Sequence, residues 1–480
     1  MKRTFLAFLL CLVTGMTAFA ADGYKIQIKF TDVKDSLVYL AHYYGKPLPT
    51  IYKLDSAKMD KNGLVTMQSK EKLLGGIYII LLSDKATYFE LLLNNGDNMT
   101  INATAKQLPQ SLKFTGSPEN DRFSKYMAFL TDFSNQTKKL EAELQTAATR
   151  ADTMSIAERG KALNKQLSTY REDYVKKYPG TLLANIFRAI KVPVVPEGKH
   201  YLEDGKTEDT MFAYNYYRTH YWDDFDFTDD RLIHTPIYDG KLDEYFNRLL
   251  PPTPDTINAE ADKLLAKARG RKELFKYTLH WVTQWAQNSK IMGLDEVFVY
   301  MVENYHMKGD AYWMDNELLA KYIDRAQKVA PNVIGNLAPE IKMQTVDGKP
   351  MPMSAVNAKY TLVIFWSPEC GHCQTEMPKI DSVYRAVLKD KGVKIYAVRT
   401  EGEQKLWTDF IAKHKLQDWI HVWDPEHKST YKSQYDVYAT PAIYFLDEKK
   451  IIRGKKLDHT NITVLLDILE NKQKSAAKGK

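Results

Sequence analysis

The chain has 480 residues, three cysteines and a formal charge of +7, and 44% of its residues are hydrophobic. That length exceeds one ordinary core and predicts two or three domains. Three cysteines exclude a disulfide-stapled scaffold, and a small positive balance spread along the chain leaves no footprint for nucleic acid.

Met1-Lys2-Arg3 is a short basic start, Phe5 to Val13 an apolar run, and Ala18-Phe19-Ala20 a site of small residues. Together they predict a secretory signal peptide over 1–20, cleaved after Ala20. Cys11 lies too early, with more apolar residues behind it, to carry a lipid anchor. Cleavage removes Cys11, Lys2 and Arg3, so the formal charge falls by two, from +7 to +5. The mature chain is therefore expected in the periplasm or otherwise exported. No later apolar run reaches about 18 residues, so no membrane span is expected.

Residues 22–116 read as an antiparallel β-sandwich-like domain. Tyr24 to Phe30 alternates with period two, as a half-buried strand does. Six further strands are predicted at 36–43, 64–68, 76–82, 88–93, 98–103 and 112–115, separated by turn signals such as Asp60-Lys-Asn-Gly63 and Asn94-Asn-Gly-Asp97. Asp55 and Asp60 read as turn residues.

From Ser117-Pro118-Glu119 the pattern becomes helical. An all-α region is predicted over 117–330. It starts with two long charged helices, 119–150 and 155–177, broken at Ala151-Asp-Thr-Met154. A shorter helix follows at 181–190, then others near 240–250, 256–269, 271–289, 294–307 and 315–329. Phe212 to Phe227 is the richest aromatic stretch. Aromatic rings beside aspartates can form a glycan- or peptide-binding platform, but the plainer reading is a helix packed through its rings.

The chain is organised around Thr361 to Cys373. Leu362 to Trp366 is an apolar run that reads as a buried parallel strand. A short turn follows, and then Cys370-Gly-His-Cys373 opens a helix whose apolar positions are Ile380, Val383, Tyr384, Val387 and Leu388. Val393 to Val398 is the next strand, which completes a βαβ unit. A helix N-terminus carries unpaired N–H groups and a partial positive charge, so a thiolate there is stabilised. Cys370 is the expected nucleophile and Cys373, one turn in, the resolving thiol. A zinc site would need two more ligands, and His414, His421 and His427 have no ligand spacing; no metal or other cofactor is expected. Around this unit the reading places a leading hairpin at 341–345 and 351–354, a helix at 403–414, a strand at 419–423, a short helix ending near Tyr435, paired strands at 442–446 and 451–454, and a closing helix at 461–471. The basic tail 472–480 is expected to be disordered.

Phe365-Trp366-Ser-Pro-Glu-Cys370-Gly-His-Cys373, Glu376-Met-Pro378 and Ala439-Thr440-Pro441 resemble, in order and spacing, the thioredoxin superfamily and its TlpA/ResA-like extracytoplasmic branch. The resemblance covers residues 331–471 and implies a C-terminal α/β thioredoxin-like fold, so the whole is a multidomain chain of β, α and α/β parts. The β domain resembles one that often precedes such modules in exported proteins of Bacteroidetes-type bacteria. Two positions depart from thioredoxin itself: its buried Asp is Ile364 here, and its Trp before the first cysteine is Glu369. Glu376 is then the candidate for moving protons at Cys373. The resemblance implies that Thr440 and a cis Pro441 bind substrate, and Trp366 is assigned to the same substrate-binding set as a support for the loop.

The expected chemistry is disulfide exchange with protein thiols or disulfides through a redox disulfide between Cys370 and Cys373. A membrane protein is the expected electron donor or oxidant. Gly-His is the dipeptide of protein disulfide isomerase, near about −180 mV against about −270 mV for thioredoxin, and an imidazolium at His372 would favour the Cys370 thiolate. The TlpA/ResA resemblance points instead to a reductase, and a reductase or general exchanger is the reading adopted. The alternative is a glycan- or peptide-binding or scaffold protein whose thioredoxin-like module is secondary or inert. A peroxidase is disfavoured because the peroxiredoxin Thr-x-x-Cys pattern is absent.

Overall fold

A computed structural model describes residues 22–478. The expected signal peptide and Cys11 lie outside the described residues. The chain divides into two compact units, one ending at Tyr245 and the other beginning at Phe246. The helical stretch expected over 117–330 is thus shared between them.

The first unit begins with eight strands: β1 (Tyr24–Phe30), β2 (Leu37–His42), β3 (Tyr52–Lys58), β4 (Leu64–Ser69), β5 (Gly76–Leu82), β6 (Tyr88–Leu93), β7 (Asp97–Ala103) and β8 (Lys113–Thr115). They form two four-stranded sheets, ordered β4-β1-β7-β8 and β3-β2-β5-β6. Every pairing is antiparallel except β1 with β7, which run parallel. Ile26, Ile28, Leu40, Ile80, Leu91 and Ile101 are fully buried in a shared core. Strand β3 is the one the sequence does not reveal. It is an edge strand with Tyr52, Lys53 and Leu54 all exposed, so no apolar face imposes a period of two.

Helix α1 (Pro118–Thr146) docks on this domain through Asn120, which is fully buried. Its side-chain oxygen accepts from the Leu92 N–H at 2.8 Å, and its amide donates to the Leu92 carbonyl at 2.7 Å. Strand β6 lies at the edge of its sheet, so Asn120 satisfies backbone groups that no further strand pairs. The break before α2 (Arg150–Lys177) falls earlier than expected. Thr149 is the N-cap: its hydroxyl accepts from the Asp152 N–H, and Asp152 returns a bond to the Thr149 N–H. Asp152 and Thr153, read from sequence as a breaker, are the first turn of a helix with a capping box. Helix α3 (Leu182–Ala189) is buried along nearly its whole length. Helices α4 (Phe212–His220) and α5 (Tyr238–Glu244) follow. Between them Tyr221, Trp222, Phe225 and Phe227 are 2–7% exposed and pack edge-to-face and tilted on one another. These four rings form a core and offer no flat platform.

The second unit opens with α6 (Pro254–Ala268), α7 (Lys272–Asn288), α8 (Asp295–Met301) and α9 (Asn316–Val329). It continues with β9 (Gln344–Thr345), β10 (Tyr360–Trp366), α10 (Gly371–Val383), β11 (Val393–Arg399), α11 (Gln404–His414), β12 (Ile420–Trp423), α12 (Tyr431–Gln434), β13 (Ala442–Asp447), β14 (Ile452–Lys455) and α13 (Ile462–Lys478). The six-stranded sheet has the order β14-β13-β10-β11-β12-β9. Strands β10, β11 and β12 are parallel, and the outer three join antiparallel. All seven residues of β10 are buried, as a central strand covered on both faces requires.

One expectation holds in part and another changes. The leading hairpin is present, turning at Asp347-Gly348 with the Met351 N–H on the Met343 carbonyl at 2.8 Å and the Met353 N–H on the Ile341 carbonyl at 2.9 Å. Only Gln344–Thr345 is regular strand, β9, which pairs with β12, and Met353–Ala355 is a single helical turn. Residues 472–478, expected to be disordered, continue α13 as helix. Gly454 explains how α13 lies against β14: a Cβ there would sit 2.3 Å from the Leu465 side chain.

Buried charge ties the helices to the sheet. Lys455, on β14, is 4% exposed and is ion-paired with Asp295, the first residue of α8. Its ammonium also donates to the Asn332 carbonyl at 2.9 Å. Arg325, on α9, pairs with Asp436 in the loop before β13. A buried pair of this kind contributes more to geometry than to net stability, because desolvation offsets much of the attraction.

Candidate redox site

The site sits at the C-terminal end of β10, where the chain leaves the sheet and starts α10. Trp366 closes the strand, and its carbonyl accepts from the Thr400 N–H at 2.9 Å. The turn Ser367–Glu369 is closed by the Cys370 N–H on the Ser367 carbonyl at 3.2 Å. Gln374 reaches back to the Pro368 carbonyl at 2.8 Å. These bonds hold Cys370 as the N-cap of α10, in extended backbone (φ −78°, ψ 117°).

The two sulfurs meet different surroundings. Both cysteines are free thiols; Cys370 is half-buried and Cys373 buried. Burial works to raise the Cys370 pKa, but hydrogen bonds with Thr440, Cys373 and the His372 backbone outweigh it, and the thiol lies below its ordinary value. Burial pushes the Cys373 thiol up to about 12. The pair is therefore asymmetric, with the outer thiol below its ordinary value and the inner one raised by burial.

Pro441 follows a cis peptide bond. The Cys370 thiol donates to the Thr440 carbonyl at 3.2 Å. Cys370, Cys373 and Thr440 thus come together. His372 is exposed on the first turn of α10. Ile364, where thioredoxin has its Asp, is fully buried among apolar side chains.

One sequence expectation needs revision, and one site residue gains a partner. Trp366 is fully buried and packs on Phe410 with ring centroids 5.1 Å apart. It supports the loop from beneath and is not placed to touch a substrate, because the strand that carries it is covered on both faces. Glu376 is partly buried, and the partner the structure gives it is His459. The His459 N–H donates to its Oε1 at 2.7 Å, and the ring Nδ1 lies 2.9 Å from the same oxygen. His459 had no signal in the sequence: it is a single histidine in the loop before α13, without motif or periodicity.

Among the described residues, no group of three or more His, Cys, Asp or Glu side chains is placed to hold a metal ion. No described helix is long and apolar enough to cross a membrane.

Residues 334–455 match the AhpC/TSA family. The C-terminal domain matches that family and has a thioredoxin-like fold. Residues 24–123 and 164–332 match two domains of unknown function, DUF4369 and DUF5106. The chain's homologues are ResA-like oxidoreductases. The thiol-disulfide oxidoreductase ResA of Oceanobacillus iheyensis is 30% identical over 130 residues, which span 25% of this chain and 65% of that protein's length. The thiol:disulfide interchange protein DsbE of Pseudomonas fluorescens is 26% identical over 135 residues, 28% of this chain and 71% of that protein. Among solved structures, a domain of a possible thiol-disulfide isomerase from Cytophaga hutchinsonii is 35% identical, with a TM-score of 0.29, covering 30% of this chain and 99% of that one. A thioredoxin-like protein from Bacteroides caccae is 19% identical, with a TM-score of 0.45, covering 57% and 97%.

Proposed function

We propose that this chain is an exported thiol–disulfide oxidoreductase, a reductase or general exchanger, that acts on protein thiols and disulfides through Cys370 and Cys373. The observation that carries the reading is the asymmetry of the pair: a half-buried Cys370 thiol held below its ordinary pKa at a helix N-terminus, beside a buried Cys373 pushed up to about 12.

In the reductive direction the Cys370 thiolate attacks one sulfur of a substrate disulfide. The substrate S–S bond breaks, its leaving sulfur takes a proton, and a mixed disulfide forms. Cys373 then gives up its proton and attacks the Cys370 sulfur. The second substrate thiol leaves, the substrate has gained two electrons, and Cys370–Cys373 is a disulfide. An external dithiol, on a membrane partner, returns the two electrons. The steps reversed oxidise a substrate dithiol.

The roles follow from position. Thr440 and Pro441 line the sulfur and receive an extended substrate strand by its backbone. Glu376 stands three residues after Cys373, within the reach of one helical turn, and takes the Cys373 proton. His372 favours the Cys370 thiolate when its ring is protonated. Export rests on the signal-peptide pattern of residues 1–20, with cleavage after Ala20.

Insulin reduction with dithiothreitol as the electron source tests the reading. The full mature chain should accelerate the reaction, Cys370→Ser should abolish the acceleration, and Cys373→Ser should accumulate mixed disulfide. A wild-type chain no faster than dithiothreitol alone would overturn it.

A further inference from the structure

A substrate strand that pairs with the backbone at Thr440 is bound without its sequence being read, so discrimination falls to side chains beside Cys370. The residue directly before the nucleophile is Glu369. It is exposed, and its Cα lies one peptide unit, about 3.8 Å, from that of Cys370.

The loop between β11 and α11 holds this side chain in place. Strands β10 and β11 pair up to Trp366 and Arg399, and the Thr400 N–H then bonds to the Trp366 carbonyl. The loop and the cysteine turn therefore leave the sheet side by side. Gly402 closes the loop onto the turn: a Cβ there would lie 3.1 Å from Cγ of Pro368 and 3.4 Å from the Glu369 carboxyl carbon, and its φ of +94° suits glycine. The next residue, Glu403, directs its N–H at Glu369 Oε1 across 3.4 Å.

No cation answers the carboxylate. Arg399, which leads into the loop, has its guanidinium 4.2 Å from the Trp423 ring centre and 5.0 Å from that of Trp407. Among the described residues, none is ion-paired with Glu369. A carboxylate held beside the nucleophile without a counter-charge attracts basic groups and repels acidic ones.

We propose that Glu369 is a specificity-determining residue of the redox site, which selects protein substrates carrying Lys or Arg beside their reactive cysteine. Reach permits it. A mixed disulfide holds the two cysteine Cα atoms about 4.4–6.8 Å apart, and each neighbour stands about 3.8 Å further along its chain. Long basic side chains cross such a span. The inference rests on the disulfide-exchange reading and adds a substrate class to it.

The test uses the full mature chain with Cys373→Ser, so that a mixed disulfide on Cys370 is not resolved. Three alanine-rich peptides differ only in the residues flanking their single cysteine, which are Lys, Gln or Glu. Each is supplied as its 2-thiopyridyl disulfide. The Cys370 thiolate attacks the peptide sulfur, the activated S–S bond breaks, and pyridine-2-thione leaves. The peptides compete at pH 8, above the range in which an ordinary imidazole is charged, and the adducts are counted by mass spectrometry. Ratios between adducts cancel any change in the reactivity of Cys370 itself. The Lys peptide should be captured about fivefold over the Gln peptide, the upper size of an exposed ion pair, with the Glu peptide depleted. At 0.5 M salt, where the screening length is about 4 Å, the ratio should fall toward one. Glu369→Gln should bring it near one at low salt, and Glu369→Lys should reverse it. Equal capture by the parent chain, or a Lys preference that Glu369→Gln leaves intact, would overturn the selection while leaving the redox reading standing. Failure of Cys370 to capture any of the three peptides would overturn both.

Discussion

His459 holds the Glu376 carboxylate from two directions, with its backbone N–H 2.7 Å from Oε1 and its ring Nδ1 2.9 Å from the same oxygen. The ring contact requires a proton on Nδ1. If Glu376 receives the Cys373 proton, His459 is a positioning residue for the resolving step and has no part in the attack. His459→Ala should slow resolution of a Cys370 mixed disulfide about tenfold, the loss of one charge-assisted hydrogen bond. Alkylation of Cys370 should be unchanged. Stopped-flow resolution rates across pH, set beside alkylation rates, separate this from a structural role, which would move both.

Alkylation also reports the asymmetry of the thiols. Thiolate, not thiol, reacts, so the rate rises with pH through the pKa and levels above it. Because the Cys370 pKa is lowered, its iodoacetamide inflection should fall below that of an ordinary cysteine, about 8.5. Cys373, buried and pushed up to about 12, should stay unmodified through neutral pH. Peptide mapping of the alkylated protein checks both. Equal labelling of the two at pH 7 would contradict the asymmetry.

Asn120 makes a local prediction in the first unit. Asn120→Ala leaves both the N–H and the carbonyl of Leu92 buried without partners, at about 1–3 kcal/mol each. The apparent unfolding midpoint of that unit should drop accordingly. Asn120→Asp, which can accept from the N–H but not donate to the carbonyl, should fall between.

What the sequence made legible, and what it hid, divides along physical lines. Strand β10 and the start of α10 stand out because an all-apolar run and a helix-period stripe flank a cysteine pair. Strands such as β1 show through their alternation. The edge strand β3 lacks any apolar face and is invisible to that test. The Thr149–Asp152 cap reads as a break because the same residue types end helices and start them. Contacts between distant residues are the hardest to see. Neither His459 on Glu376 nor Lys455 on Asp295 leaves a local pattern, because each pair meets only through the fold.

Lys455 supports a prediction of that distant kind. Lys455→Met would leave Asp295 buried and uncompensated, at a cost of about 3–5 kcal/mol. The chain should unfold earlier in a denaturant titration, and the double variant Lys455→Met with Asp295→Leu should recover much of the loss. A single variant as stable as the parent would show that the pair is not closed in solution.

The reduction potential of the Cys370–Cys373 couple, from equilibration with glutathione buffers, tests the central claim most directly. The account predicts one two-electron transition to an intramolecular disulfide, between about −270 and −180 mV, the span of proteins that exchange disulfides. Cysteines that stay reduced at every ratio, or a Cys370–glutathione adduct that Cys373 never resolves, would contradict it.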